Sequence, residues 1–249
     1  MAFAPSSLTL ANSFLPLKEA LNFSRFHLFT QKIKIQEYTS ASILGSSTRQ
    51  MPIRIIPSSI PQADLDVNFL KFSTAMVKAN TTNISNVSSQ AYDILLSALS
   101  LFGLFKYGQS HIKLKDGFRK KYRDFSKSGR TGELAQAINY IFAQERLGYK
   151  YIIDFDTFLS NNNISTTVTG GTPDYVLFGK ARSNISILES KGSSQTKELT
   201  MPELRAKLQG AMENQCFSGV RHLKQNSSYN VTNSYASVVE FAESSELRE

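Results

Sequence analysis

At 249 residues, 41% of them hydrophobic, the chain is long enough for one large domain or for a domain with a substantial extension. A formal net charge of +8 and a pI near 9.5 favour polyanionic partners, either nucleic acid or an anionic membrane surface. One cysteine and three scattered histidines exclude an internal disulfide, a Cys-rich zinc site and a His-based zinc motif, so any metal is held by oxygen and is Mg²⁺ or Mn²⁺.

Residues 1–60 are rich in Ser, Thr and Asn, and Pro52, Pro57 and Pro61 punctuate "MPIRIIPSSIPQ". This composition predicts an irregular N-terminal segment without long regular structure, with disorder as an option. No basic residue precedes its first apolar stretch, so no secretory signal is expected and the cytoplasm is the simplest address. Residues 61–105 read as a helical extension, with "DLDVNFLKFSTAMVKA" and "SSQAYDILLSALSLF" separated by the polar "NTTNISNVSSQ". The most apolar run, Ile94 to Phe105, is too short to span a bilayer. It reads as a buried helix, with an interfacial helix as the alternative.

A basic strip follows at 106–130. It holds nine Lys or Arg against two Asp, so nearly all the excess charge of the chain sits here. Tyr107, Phe118, Tyr122 and Phe125 interleave with Lys113, Lys115, Arg119, Lys120, Lys121, Arg123, Lys127 and Arg130. Such a strip is either a solvated helix face or a surface that grips phosphates.

From Thr131 the pattern becomes regular. Thr131 is placed as an N-cap, Leu134, Ala135, Ile138, Ile141 and Phe142 recur at helical spacing, and Gly148 supplies a stop. Next come a strand at "YKYIIDF", a polar loop, and two strands, "DYVLF" and "ISILESK", joined by a turn at "GKARSN". A helix from Met201 to Lys224, with Pro202 in its first turn, and a last strand at "SYASVVEF" complete the order helix, three strands, helix, strand. The class is α+β.

Asp174 opens the first strand of the hairpin, and Glu189 and Lys191 stand near the end of the second. Alternation puts Glu189 and Lys191 on one face, and a tight hairpin brings the start of one strand beside the end of the other. Two carboxylates without a histidine make a hard-oxygen metal site. A lysine beside them can hold a phosphate oxygen or orient a water molecule, which suits phosphodiester hydrolysis without a covalent nucleophile. The plainer alternative is a strand-start acid and an exposed ion pair of little worth.

"TPDYVLFGKARSNISILESKG" resembles the PD-(D/E)xK nuclease superfamily, with Pro173-Asp174 as its "PD" and Glu189-Ser190-Lys191 as its "(D/E)xK". The resemblance spans roughly residues 130–241. It implies a restriction-endonuclease-like αβββαβ core at 131–249, with a central mixed sheet flanked by helices and a mostly helical or irregular N-terminal extension. It further implies a Mg²⁺-dependent endonuclease acting on DNA, with Asp174 and Glu189 as metal ligands and Lys191 positioning water. A glutamate on the preceding helix completes the metal site in this family, and Glu133 fits; Glu145, Asp154 and Asp156 are the other acids at hand. The following helix is expected to direct a Gln or a basic residue at the site, from Gln209, Gln215 and Lys207, of which Gln215 is preferred. Arg205, Lys207, Arg221 and Lys224 are further candidates for backbone contacts. RNA stays open as a substrate, and a homodimer would suit cleavage of both strands. A non-catalytic nucleic-acid-binding module and a membrane- or partner-binding protein using the Ile94–Phe105 run are the competing readings. The fold leaves open whether the setting is defence, a mobile element, a toxin or repair.

Overall fold

A computed structural model describes residues 31–33, 35, 38–41, 54–57, 63–80, 87–106, 112–121, 123–179, 184–195 and 199–242. The segment expected to be irregular contributes three short strands, β1 (Gln31–Ile33), β2 (Tyr38–Ala41) and β3 (Arg54–Pro57). β2 pairs antiparallel with β3, and β1 pairs antiparallel with β4 (Leu65–Val67). Two helices follow, α1 (Phe69–Asn80) and α2 (Val87–Phe102). Asn68 starts α1 by accepting the Lys71 N–H on its Oδ1 at 2.8 Å.

α2 is only partly the buried helix that its composition suggested. Ala98 and Leu101 are buried, but Tyr92, Leu95, Leu96 and Leu99 face outward. No helix among the described residues is long and apolar enough to cross a membrane.

After a single turn, α3 (Phe118–Lys121), comes the longest helix, α4 (Asp124–Glu145). It begins seven residues before the predicted start at Thr131. Thr131 is therefore not a cap. It lies inside the helix, buried, and its Oγ1 donates to the Lys127 carbonyl one turn back at 2.8 Å. The basic strip and the following domain thus share one continuous helix. Its buried face is Leu134, Ala135, Ile138 and Ile141, the spacing read from the sequence.

The remaining elements are β5 (Tyr151–Asp154), α5 (Phe155–Asn161), β6 (Tyr175–Phe178), β7 (Asn184–Gln195), α6 (Met201–Ala211), a π-helical turn (Met212–Cys216), α7 (Phe217–Asn226) and β8 (Asn230–Ala242). The predicted helix from Met201 to Lys224 is thus α6 and α7 run together through the π turn, and the short α5 is inserted between the first two strands of the sheet. The sheet has four strands in the order β5-β6-β7-β8. β6 runs antiparallel to both β5 and β7, and β8 is parallel to β7, so the sheet is mixed.

Alternation along β7 sorts its side chains between two layers. Leu188, Ser190, Gly192 and Ser194 face α4, whereas Ile185 and Ile187 pack with Met212 and Cys216 of the π turn. Gly192 lets the α4 layer come close, because a Cβ there would lie 2.4 Å from the Thr131 carbonyl oxygen. The α4 side of the sheet shares one apolar core with the N-terminal helices. Phe72 and Met76 of α1 and Leu101, Leu104 and Phe105 around the end of α2 join the buried face of α4 and Val239 and Phe241 of β8.

Candidate active site

β6 and β7 pair with Tyr175 opposite Leu188 and Phe178 opposite Ile185. One step beyond Tyr175–Leu188, Asp174 therefore stands opposite Glu189. The turn expected at "GKARSN" falls largely outside the described residues. β7 does not end at the motif, as was expected, but continues to Gln195 beside β8. Glu189 and Lys191 are mid-strand, just past the stretch of β7 that pairs with β6, beside the point where β6 begins.

Asp174 is held from two sides. Its Oδ2 accepts the Ser190 N–H at 2.7 Å and its Oδ1 accepts Gln136 Nε2 at 3.1 Å. Burial raises its pKa above the usual carboxylate range, against these hydrogen bonds and the nearby Lys191. Glu189 is 1% exposed. Its Oε1 lies 2.6 Å from Lys191 Nζ, while its Oε2 is buried without a hydrogen-bond partner. Burial first, and the Asp174 charge second, push its pKa up to about 7 despite the lysine. A buried carboxylate oxygen with no partner is costly, so this one marks a position where a positive or hydrogen-bonding group belongs. Cys216 lies beneath the same strand; its Sγ donates to the Tyr235 carbonyl at 3.2 Å, and burial with the Glu189 charge pushes its thiol up to about 12. It is a packing residue.

The loop that delivers Asp174 is fastened to the π turn and α7. The Gly171 N–H donates to the Asn214 carbonyl at 3.1 Å, and Ser218 Oγ donates to the Thr169 carbonyl at 2.6 Å. Pro173 is buried against Gly219, where a Cβ would stand 2.7 Å from the proline ring. Gln215 Nε2 makes a long contact of 3.4 Å with the Thr172 carbonyl. It braces this loop and makes no hydrogen bond to Asp174 or Glu189. π turns recur at functional sites because the extra residue re-aims the helix locally.

The structure does not bring Glu133 to the two carboxylates. Glu133 is exposed in the interior of α4 rather than in a first turn, and the α4 side chain that touches Asp174 is Gln136, three residues later. Among the described residues no three His, Cys, Asp or Glu side chains gather into a metal-binding group. Glu145 pairs with Lys71, and Asp154 caps α5 by accepting the Thr157 N–H at 2.8 Å. Asp156 is exposed, and Gln209 donates to Glu213 at 2.9 Å. Lys207 is half-buried, and Arg205, Arg221 and Lys224 are exposed.

Of the basic strip, Lys120 and Arg123 are exposed, and Lys113, Lys115, Lys127 and Arg130 are half-buried. The side chains of Arg119 and Lys121 lie outside the described residues. Lys127 and Arg130 ride on the same helix as Gln136, and six residues of helix separate Arg130 from Gln136 by about 9 Å.

Gln136 and Asn139 were not singled out from the sequence, although a signal was present. They are two amides three residues apart within the apolar "LAQAINYI". Amides at that spacing on a buried helix face need partners. Asn139 finds Ser190 and Ser237. In comparisons with protein-family models, curated proteins and solved structures, none matches this chain.

Proposed function

We propose that the chain is a metal-dependent nuclease of the PD-(D/E)xK type that hydrolyses phosphodiester bonds in DNA. The observation that carries this reading is Asp174 opposite Glu189, with Lys191 on one Glu189 oxygen and the other oxygen buried and unpartnered. Two carboxylates suit Mg²⁺, which keeps several waters and takes one or two carboxylates together with substrate phosphate oxygens. A bound Mg²⁺ supplies Lewis acidity, lowering the pKa of water and offsetting charge on the phosphoryl oxygens. Asp174 and Glu189 are the residues that would hold it, and Glu133 is not needed for that set. Lys191, about one-third exposed, carries donors that can orient the attacking water and stabilise charge on a phosphoryl oxygen. Lys127, Arg130 and the exposed Lys120 and Arg123 supply cations for the nucleic-acid backbone. The element order and the mixed sheet support a restriction-endonuclease-like core, with α5 as an insertion. A homodimer would suit cleavage of both strands.

Plasmid cleavage tests the reading. The chain is expected to nick or linearise plasmid with Mg²⁺ and to stop on EDTA addition. Glu189→Ala and Lys191→Ala are each expected to lose about 10²–10³-fold in rate. Cleavage undiminished in Lys191→Ala removes the central assignment. A second reading, nucleic-acid binding without cleavage, is favoured by the exposed Lys120 and Arg123 of the basic strip, which need no metal to meet a phosphate. It predicts salt-sensitive binding that is indifferent to metal.

A further inference from the structure

α4 touches both carboxylate-bearing strands through two side chains about one turn apart. Gln136 Nε2 donates to Asp174 Oδ1 at 3.1 Å, and Asn139 Nδ2 donates to Ser190 Oγ at 2.5 Å. Asp174 and Ser190 are themselves joined, because the Ser190 N–H donates to Asp174 Oδ2 at 2.7 Å. Helix, start of β6 and middle of β7 therefore close a ring of hydrogen bonds. Ser237 Oγ ties β8 into it by donating to Asn139 Oδ1 at 2.6 Å.

The ring has a physical purpose that packing does not explain. Asn139 is 1% exposed, and an apolar side chain of similar size would fill its place without the desolvation that an amide suffers. What an amide adds is direction. It allows only one part of β7 to lie beneath this turn of α4, and a slip of one residue would turn Ser190 to the opposite face of the sheet. Ser190 is the residue between Glu189 and Lys191, so fixing it fixes both neighbours on the other face. Gln136 and the Ser190 N–H hold the Asp174 carboxylate from two sides and so set its rotation. Each of its oxygens keeps a further lone pair for a ligand.

We infer that Gln136 and Asn139 are positioning residues that keep Asp174 and the Glu189–Lys191 segment in fixed register with each other for a divalent cation, an inference that rests on the metal-site reading above. Outer-shell hydrogen bonds of this kind orient ligating carboxylates, and their loss weakens metal binding about ten- to hundredfold.

The test is a Mn²⁺ titration of the full chain by electron paramagnetic resonance, without nucleic acid, alongside metal-free thermal unfolding of each variant. Gln136→Ala and Asn139→Ala are each expected to weaken Mn²⁺ binding about ten- to hundredfold. Combined, they should cost less than the product of the two effects, because they break one ring. Ser190→Ala cuts the Asn139 link from the strand side and gives the answer should Asn139→Ala fail to fold; Ser190→Thr returns the hydroxyl and should restore affinity. A merely structural role would shift unfolding and leave Mn²⁺ affinity in the folded protein untouched. If the wild-type chain binds Mn²⁺, Glu189→Gln does not, and the ring variants bind as the wild type does, the inference fails and the metal-site reading stands. If the wild-type chain binds no Mn²⁺, both fail.

Discussion

Glu189 shows how much the environment decides. In water it is an ordinary acid with a pKa of 4.5, and here burial and the neighbouring Asp174 carry it to about 7. Between those values the folded chain holds a proton that the unfolded chain has released. The native state therefore binds more protons, and stability falls as pH rises through this window. The size of the effect is on the order of 3 kcal/mol for a group buried this completely. Asp174 is raised too and adds to it in the same direction. The urea midpoint of the metal-free chain should accordingly drop from about pH 5 to about pH 8. Glu189→Gln should remove most of that slope; an equally steep fall in the variant would assign the effect elsewhere. The three motif residues were legible in the sequence because strand alternation and hairpin pairing are short-range rules. Gln136 was not, since choosing between it and Glu133 requires the rotation of α4 against the sheet, which packing of the whole helix sets.

Among the elements, α4 departs furthest from its sequence pattern. Its first two turns, "DFSKSGR", offer no apolar repeat, and Gly129 and Gly132 stand inside the helix. Neither glycine has a neighbour within 4 Å of the position a Cβ would take. Gly132→Ala should therefore stabilise the chain by about 1 kcal/mol, the usual gain for alanine over glycine inside a helix. Gly192→Ala should do the reverse. Its Cβ would meet the Thr131 carbonyl oxygen at 2.4 Å, and forcing α4 off β7 costs about 1–3 kcal/mol. Thermal unfolding of both variants checks the opposite signs; a stabilised Gly192→Ala would mean that the two elements separate easily. The π turn was equally hidden, since its extra residue is accommodated by contacts with the distant Gly170–Pro173 loop and not by any local composition.

At the scale of the whole molecule, the boundaries drawn from composition do not separate independent units. Phe72 and Met76 of α1 cover the same core as Leu134, Ile138 and Ile141 of α4 and Phe241 of β8. A fragment of residues 106–249 would expose that face and lose the burial that stabilises it. It should be unfolded or molten by circular dichroism and cut rapidly by protease under conditions where the full chain resists. A cooperative thermal transition in the fragment would show that the C-terminal half folds alone. The composition change at Lys106 marks a change of charge, and charge at the surface says little about which apolar faces meet inside.

β7 and β8 run on together past the point where β6 begins, so Glu189 occupies an inside corner of the sheet and not its rim. A rim can be approached along the strand axis, end first. At an inside corner neighbouring strands stand on both sides, and Glu189 is 1% exposed while Lys191, two residues on, keeps about a third of its side chain in solvent, so the lysine is the part of the pair that an approaching molecule meets first.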